Sequence, residues 1–134
     1  MISANHAKYD SVVKENILFS NNTIFKNFTA EQKTLLLENM RCRTFSRGEV
    51  IFYEGQPSYL IYFVYSGVVQ LWKEGIHNLE QIIRFAHDGD IIGFWSSYGN
   101  TDYSLSATAT TESVLCSFRK DVFLPLLHTN LVLP

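Results

Sequence analysis

From Arg41 onward the chain is a series of short β-rich runs, each closed by turn residues, and no other feature limits its fold as tightly. Cys42 to Thr44 and Val50 to Tyr53 flank the turn Ser46-Arg47-Gly48-Glu49. Leu60-Ile61-Tyr62-Phe63-Val64-Tyr65 runs into Ser66-Gly67, and Val68-Val69-Gln70-Leu71-Trp72 leads towards Gly75. Gln81-Ile82-Ile83-Arg84-Phe85 passes through Asp88-Gly89-Asp90 to Ile91-Ile92-Gly93. Leu105 to Ala109 and Val114 to Phe118 complete the series. Strands at about ten-residue spacing with glycine at the turns predict an antiparallel sandwich or barrel. A chain of 134 residues, 46% of them hydrophobic, suits one domain with one core.

The ends read differently. Residues 1–28 show weak apolar periodicity broken by Ser20-Asn21-Asn22-Thr23, which predicts a helical lead-in of a short helix, a turn and an entry segment. Thr29-Ala30-Glu31-Gln32 fits a capping box, so a helix is expected to start there, with Leu35, Leu36, Leu37 and Met40 as its apolar side and an end near Asn39 to Met40. Asp121 to Leu127 predicts one or two helical turns, short or bent because Pro125 falls late in them. Leu131-Val132-Leu133-Pro134 carries no stop signal of its own, which suggests a chain that continues.

Charge and motifs exclude several functions. The net charge is −2 and the basic residues are scattered, whereas sequence-independent grip on a phosphate backbone needs many clustered Lys and Arg. No secretory leader or run of apolar residues long enough to span a membrane is evident, so no membrane role is expected. Cys42 and Cys116 lie far apart without CxxC spacing and are expected as buried, reduced thiols in a cytoplasmic protein, with a disulfide or redox switch as the alternative. No catalytic motif occurs, and His6, His77, His87 and His128 lack the spacing of a cupin-type metal site, so no enzyme is expected. His87 with Asp88 and Asp90 reads as a turn rather than a metal site.

Over roughly residues 25–128 the order of motifs resembles the effector domain of the Crp/Fnr family of bacterial transcription regulators. Phe45-Ser-Arg-Gly48-Glu-Val-Ile-Phe52-Tyr-Glu54-Gly55-Gln-Pro57 looks like the first hairpin of the cyclic-nucleotide-binding fold. Tyr62-Phe-Val64-Tyr-Ser66-Gly67-Val-Val-Gln-Leu71 resembles the following strand pair, and Gln81-Ile-Ile-Arg84-Phe85 with Gly89-Asp90-Ile-Ile-Gly93 the approach to the phosphate cassette. Ser106-Ala107-Thr-Ala109 and Val114-Leu115-Cys116 resemble the closing strands. The resemblance implies a mainly β fold, an antiparallel double-stranded β-helix or jelly roll, with flanking short α-helices. It divides the chain into a lead-in, 1–28, and a β-roll domain, 29–134, that ends at the start of a dimerisation helix near His128 to Pro134.

Cyclic-nucleotide binders of this family carry Phe-Gly-Glu, then, about eight residues on, Arg and a small pair; the Glu accepts the ribose hydroxyl and the Arg neutralises the cyclic phosphate. On that pattern Phe94 stands for the Glu and Tyr103 for the Arg, with Ser104 and Leu105 following and Asp102 adding an unfavourable charge. Loss of a charge-assisted bond to phosphate costs roughly 1.5–3 kcal/mol, so cyclic AMP and cyclic GMP are not expected as ligands. Arg84 and Arg119 are candidate replacement cations, with the facing of Arg84 left open by its strand pattern. The expected effector pocket is Gly93, Phe94, Trp95, Ser96, Ser97, Tyr103, Ser104 and Ser106, either filled by its own aromatics or open to an unidentified non-nucleotide small molecule. No cofactor is expected: residues 1–41 hold no cysteine for an iron–sulfur cluster, and the histidines suit solvent better than haem. The resemblance further implies that the parent protein is a homodimer and reaches DNA only through a C-terminal helix-turn-helix domain absent from this chain.

Overall fold

The computed structural model describes residues 13–14, 25–93 and 102–131. Helix α1, Ala30–Asn39, starts where the capping box predicts: the Thr29 hydroxyl accepts from the Gln32 amide at 3.1 Å and the Gln32 side chain accepts from the Thr29 amide at 2.9 Å. Leu36 is its one buried residue, while Leu35, expected on the apolar side, is 43% exposed. The chain leaves the helix at Met40, whose extended backbone opens the first strand.

Eight strands follow among the described residues: β1 Met40–Phe45, β2 Val50–Phe52, β3 Leu60–Ser66, β4 Val68–Glu74, β5 Glu80–His87, β6 Ile91–Ile92, β7 Ser106–Ala109 and β8 Ser113–Arg119. They form two four-stranded antiparallel sheets, ordered β1-β8-β3-β6 and β2-β7-β4-β5. Of the paired strands only β4 and β5 are consecutive; the others, such as β1 with β8 and β2 with β7, are far apart in sequence, as a jelly roll requires. The turn from β3 to β4 needs glycine: Gly67 has φ +115°, and a Cβ there would lie 2.1 Å from the Ser113 hydroxyl.

Two cores result. Between the sheets, Phe45, Phe52, Val64, Val69, Leu71, Ala86, Ile92, Tyr103, Ala107, Ala109 and Leu115 fill the roll. On the opposite face of β1-β8-β3-β6, Val13, Phe25, Phe28 and Leu36 join Met40, Ile61, Phe63, Cys116 and Phe118. Helix α2, Lys120–Leu131, covers that face with Phe123 and Leu127, one turn apart and buried. It runs through Pro125 for 12 residues, longer than the sequence predicts. Burial of an apolar side chain such as Phe123 stabilises by about 1.5–3 kcal/mol, which offsets the hydrogen bond that the proline removes.

Candidate functional site

The inner face of β3 alternates with its helix-covered face, so Tyr62 and Val64 point into the roll while Ile61 and Phe63 point out. Tyr62 meets Phe52 of β2 with ring centroids 5.7 Å apart, and Phe52 stacks on Tyr103 at 3.9 Å and 13°. Tyr103 is 6% exposed, and its hydroxyl donates to the Leu60 carbonyl at 2.6 Å. Gly93, just after β6, makes this possible, because a Cβ at its φ of +80° would sit 3.1 Å from Tyr103 Cε1. The position where a phosphate-binding arginine is expected therefore holds a buried ring that closes the roll.

Backbone pairing fixes that ring. The Tyr103 amide donates to the Gln56 carbonyl and the Gly55 amide to the Tyr103 carbonyl, each at 2.9 Å, beside a bridge between Pro57 and Asp102. Burial, then the neighbouring Tyr62, pushes the Tyr103 hydroxyl well above its ordinary value. Burial likewise raises Tyr62, partly offset by Arg43. Both stay neutral near pH 7 and offer hydroxyls rather than charge.

The expected pocket residues separate. Gly93 and Tyr103 are in contact; Ser104 is exposed at the surface. Ser106 is buried, but it pairs with Trp72 on the face opposite that of the inward Ala107, and its hydroxyl accepts from the Glu54 amide at 2.8 Å. Phe94, Trp95, Ser96 and Ser97 lie outside the described residues. Ladder register settles Arg84: it pairs with Leu71 and lies two residues from Ala86, both buried in the roll, so it shares their inward face at the exposed mouth. A register shift between Leu71 and Trp72 breaks the plain alternation that left its facing open. Arg119 instead bonds Asp121 at 2.5 Å.

The acidic turn serves structure. Asp90 accepts from the His87 amide and Asp88 from the Gly67 amide, at 2.9 and 2.8 Å. His77 is exposed, and among the described residues no group of three or more His, Cys, Asp or Glu is placed to hold a metal. No helix among them is long and apolar enough to cross a membrane.

One expectation is overturned. Cys42 and Cys116 are not free thiols: the β1–β8 register sets them directly opposite, with Cα atoms 3.9 Å apart, and their sulfurs are bonded. The 74 residues between them hid the pairing, since only the ladder brings them together.

Three comparisons place this geometry. Residues 42–130 match the model of the cyclic nucleotide-binding domain. A curated relative, the cyclic AMP receptor protein of Thermus thermophilus, is 29% identical over 114 residues, 81% of this chain and 53% of its own. The chain thus spans about half the length of that relative. The sensor domain of the transcriptional regulator DNR from Pseudomonas aeruginosa superposes with a TM-score of 0.78 at 21% identity, over 90% of this chain and 80% of that one. The regulatory subunit of a cAMP-independent protein kinase A from Trypanosoma brucei also reaches 0.78, at 18% identity over 93% of this chain and 46% of that one. By the family match over most of its length, the chain belongs to the cyclic nucleotide-binding domain family, and its relatives include regulators of the Crp/Fnr kind.

Proposed function

We propose that the chain is the effector-sensing domain of a cytoplasmic, homodimeric DNA-binding regulator of the Crp/Fnr kind, and that its effector is not cyclic AMP. The observation that carries the second half is Tyr103: it stands where the family's phosphate-binding arginine is expected, buried, stacked on Phe52 and bonded to Leu60. A neutral phenol tied to a carbonyl offers no cation to a cyclic phosphate.

The proposed effector is a non-nucleotide small molecule with an apolar or aromatic body, met by Gly93, Phe94, Trp95, Ser96 and Ser97 with Tyr103 and Ser104. Ser106, on the outer face, falls outside this wall. Occupancy biases how the roll packs on α2 and the dimerisation helix proposed to follow it. That packing sets the spacing of the two DNA-reading helices of the dimer. The domain division at residue 28 and a helix-turn-helix domain elsewhere in the parent protein belong to the same reading.

Calorimetry with cyclic AMP and cyclic GMP tests the ligand half. No binding tighter than about 10 μM, roughly −7 kcal/mol, is expected, and tighter binding overturns it. A second reading, a ligand or scaffold module that binds no DNA, draws on the likeness to the kinase regulatory subunit. Coding sequence after Pro134 that continues into a helix-turn-helix favours the first reading; its absence favours the second.

A further inference from the structure

Arg84 sits on the inward face of the edge strand β5, in register with Leu71 and two residues from Ala86, both buried. An exposed guanidinium thus stands beside an apolar floor. Among the described residues its side chain has no ion pair or hydrogen bond, while its neighbouring cations are matched, Lys73 by Glu54 at 3.6 Å and His87 by Asp90 at 3.9 Å. Glu80, the acid of its own strand, lies four residues away and faces Glu74 across the ladder. The sequence from Gly93 to Thr101 contains no Asp or Glu.

The mouth that Arg84 faces is aromatic. The turn Asp88-Gly89-Asp90 leads β5 into β6; Ala86, two residues before the turn, shares a core cluster with Ile92, two residues after it. Ile92 pairs with Tyr62 and is followed by Gly93, against which the Tyr103 ring rests. Two more residues along a strand span about 6–7 Å, which sets Arg84 on the same mouth as Gly93, Tyr62 and Tyr103. The Tyr103 hydroxyl is already bonded to Leu60, and Arg43, which acts on Tyr62, is bonded to Glu49. Arg84 is left as an unmatched cation among rings.

We propose that the effector is a small aromatic monocarboxylate, its carboxylate held by Arg84 and its ring laid against Tyr62 and Tyr103. The planar guanidinium fork meets a carboxylate with two parallel bonds, and one unmatched cation balances one negative charge. A phosphate monoester carries roughly two and would leave one of them unbalanced. The proposal rests on the reading of the domain as a sensor of a non-nucleotide molecule and adds the chemical class. An inward charge on an edge strand also discourages edge-to-edge pairing, a role that needs no ligand, so ligand selectivity is the readout that separates the two.

Calorimetry of the intact chain at pH 7 uses three matched pairs: 3-phenylpropionate and 3-phenylpropionamide, 4-phenylbutyrate and 4-phenylbutyramide, indole-3-acetate and indole-3-acetamide. Cyclic AMP is a further arm. At least one acid is expected to bind about tenfold tighter than its amide at low salt, with the margin narrowed at high salt. Arg84→Gln is expected to remove that margin while the urea midpoint stays unchanged. No binding by any acid, amides that bind as tightly as the acids, or a margin that survives in Arg84→Gln overturns the proposal. Amides as tight as acids would leave the sensor reading standing, whereas cyclic AMP bound tighter than about 10 μM would overturn that reading itself.

Discussion

The sheet β1-β8-β3-β6 forms one wall of each core, and its two faces are sealed by different means. On the helix-covered face, Phe118 meets Phe25 at 5.6 Å and Phe123 at 5.1 Å, and the Cys42–Cys116 bond ties two strands beneath. On the inner face, Tyr62, Ile92 and Leu115 meet Tyr103, which comes from outside the sheet and is held by a ring stack and a few hydrogen bonds. The first face depends on apolar mass and a covalent link. The second depends on one polar ring, and a small molecule competes with a ring more readily than with a packed helix.

The comparison breaks most visibly at Phe118. Phe118→Ala removes a ring that is 1% exposed and touches two other rings, so a loss of about 3–5 kcal/mol is expected in urea unfolding. A loss below about 2 kcal/mol would show that the helix-covered face collapses around the gap and is not the firmer side. Gly93→Ala probes the inner face with the next largest effect. Its φ of +80° and the Tyr103 ring 3.1 Å from a Cβ predict a loss of about 2 kcal/mol. An unchanged stability would mean that Tyr103 gives way freely.

These faces were unequally legible in the sequence. Strands and capping box could be read because they depend on local chemistry: the β-branched and aromatic run Leu60 to Tyr65 closed by Ser66-Gly67, and Thr29 three residues before Gln32. The family resemblance pointed to Tyr103 as the residue in the arginine's place, but not to its burial, which depends on the gap that Gly93 leaves. Ser106 belongs to the effector pocket expected from the sequence, but strand alternation turns it outward. The disulfide and the facing of Arg84 were illegible for one reason. Both depend on ladder register, and a single shift such as that between Leu71 and Trp72 changes which side chains share a face.

Tyr103→Phe keeps the ring and removes only its bond to Leu60, so a loss of about 1 kcal/mol is expected at pH 7. The pH dependence sharpens this. Burial holds the Tyr103 and Tyr62 hydroxyls above the ordinary 10.0, so the unfolded chain releases these protons first as the solution turns alkaline. Stability is intact below pH 10 and falls as pH rises from there towards the folded-state values. Without the Tyr103 hydroxyl the decline above pH 10 is shallower. Equal slopes for the two proteins in alkaline denaturation would show that Tyr103 ionises as readily folded as unfolded.

The smallest effect on stability is expected at Arg84. Its neighbours on the same face, Leu71 and Ala86, are buried, yet Arg84 is exposed at the mouth, and no ion pair holds it among the described residues. Removing an exposed, unpaired charge changes stability by less than about 0.5 kcal/mol, so Arg84→Gln is expected to unfold at the urea midpoint of the parent. That near-silence gives the variant its value. A loss of response to an effector in Arg84→Gln is then a loss of binding at the mouth rather than a weakened roll, a separation that changes at Gly93 or Tyr103 cannot make. A midpoint shift worth more than about 1 kcal/mol would instead make Arg84 part of what closes the roll, and the inner face would no longer depend on Tyr103 alone.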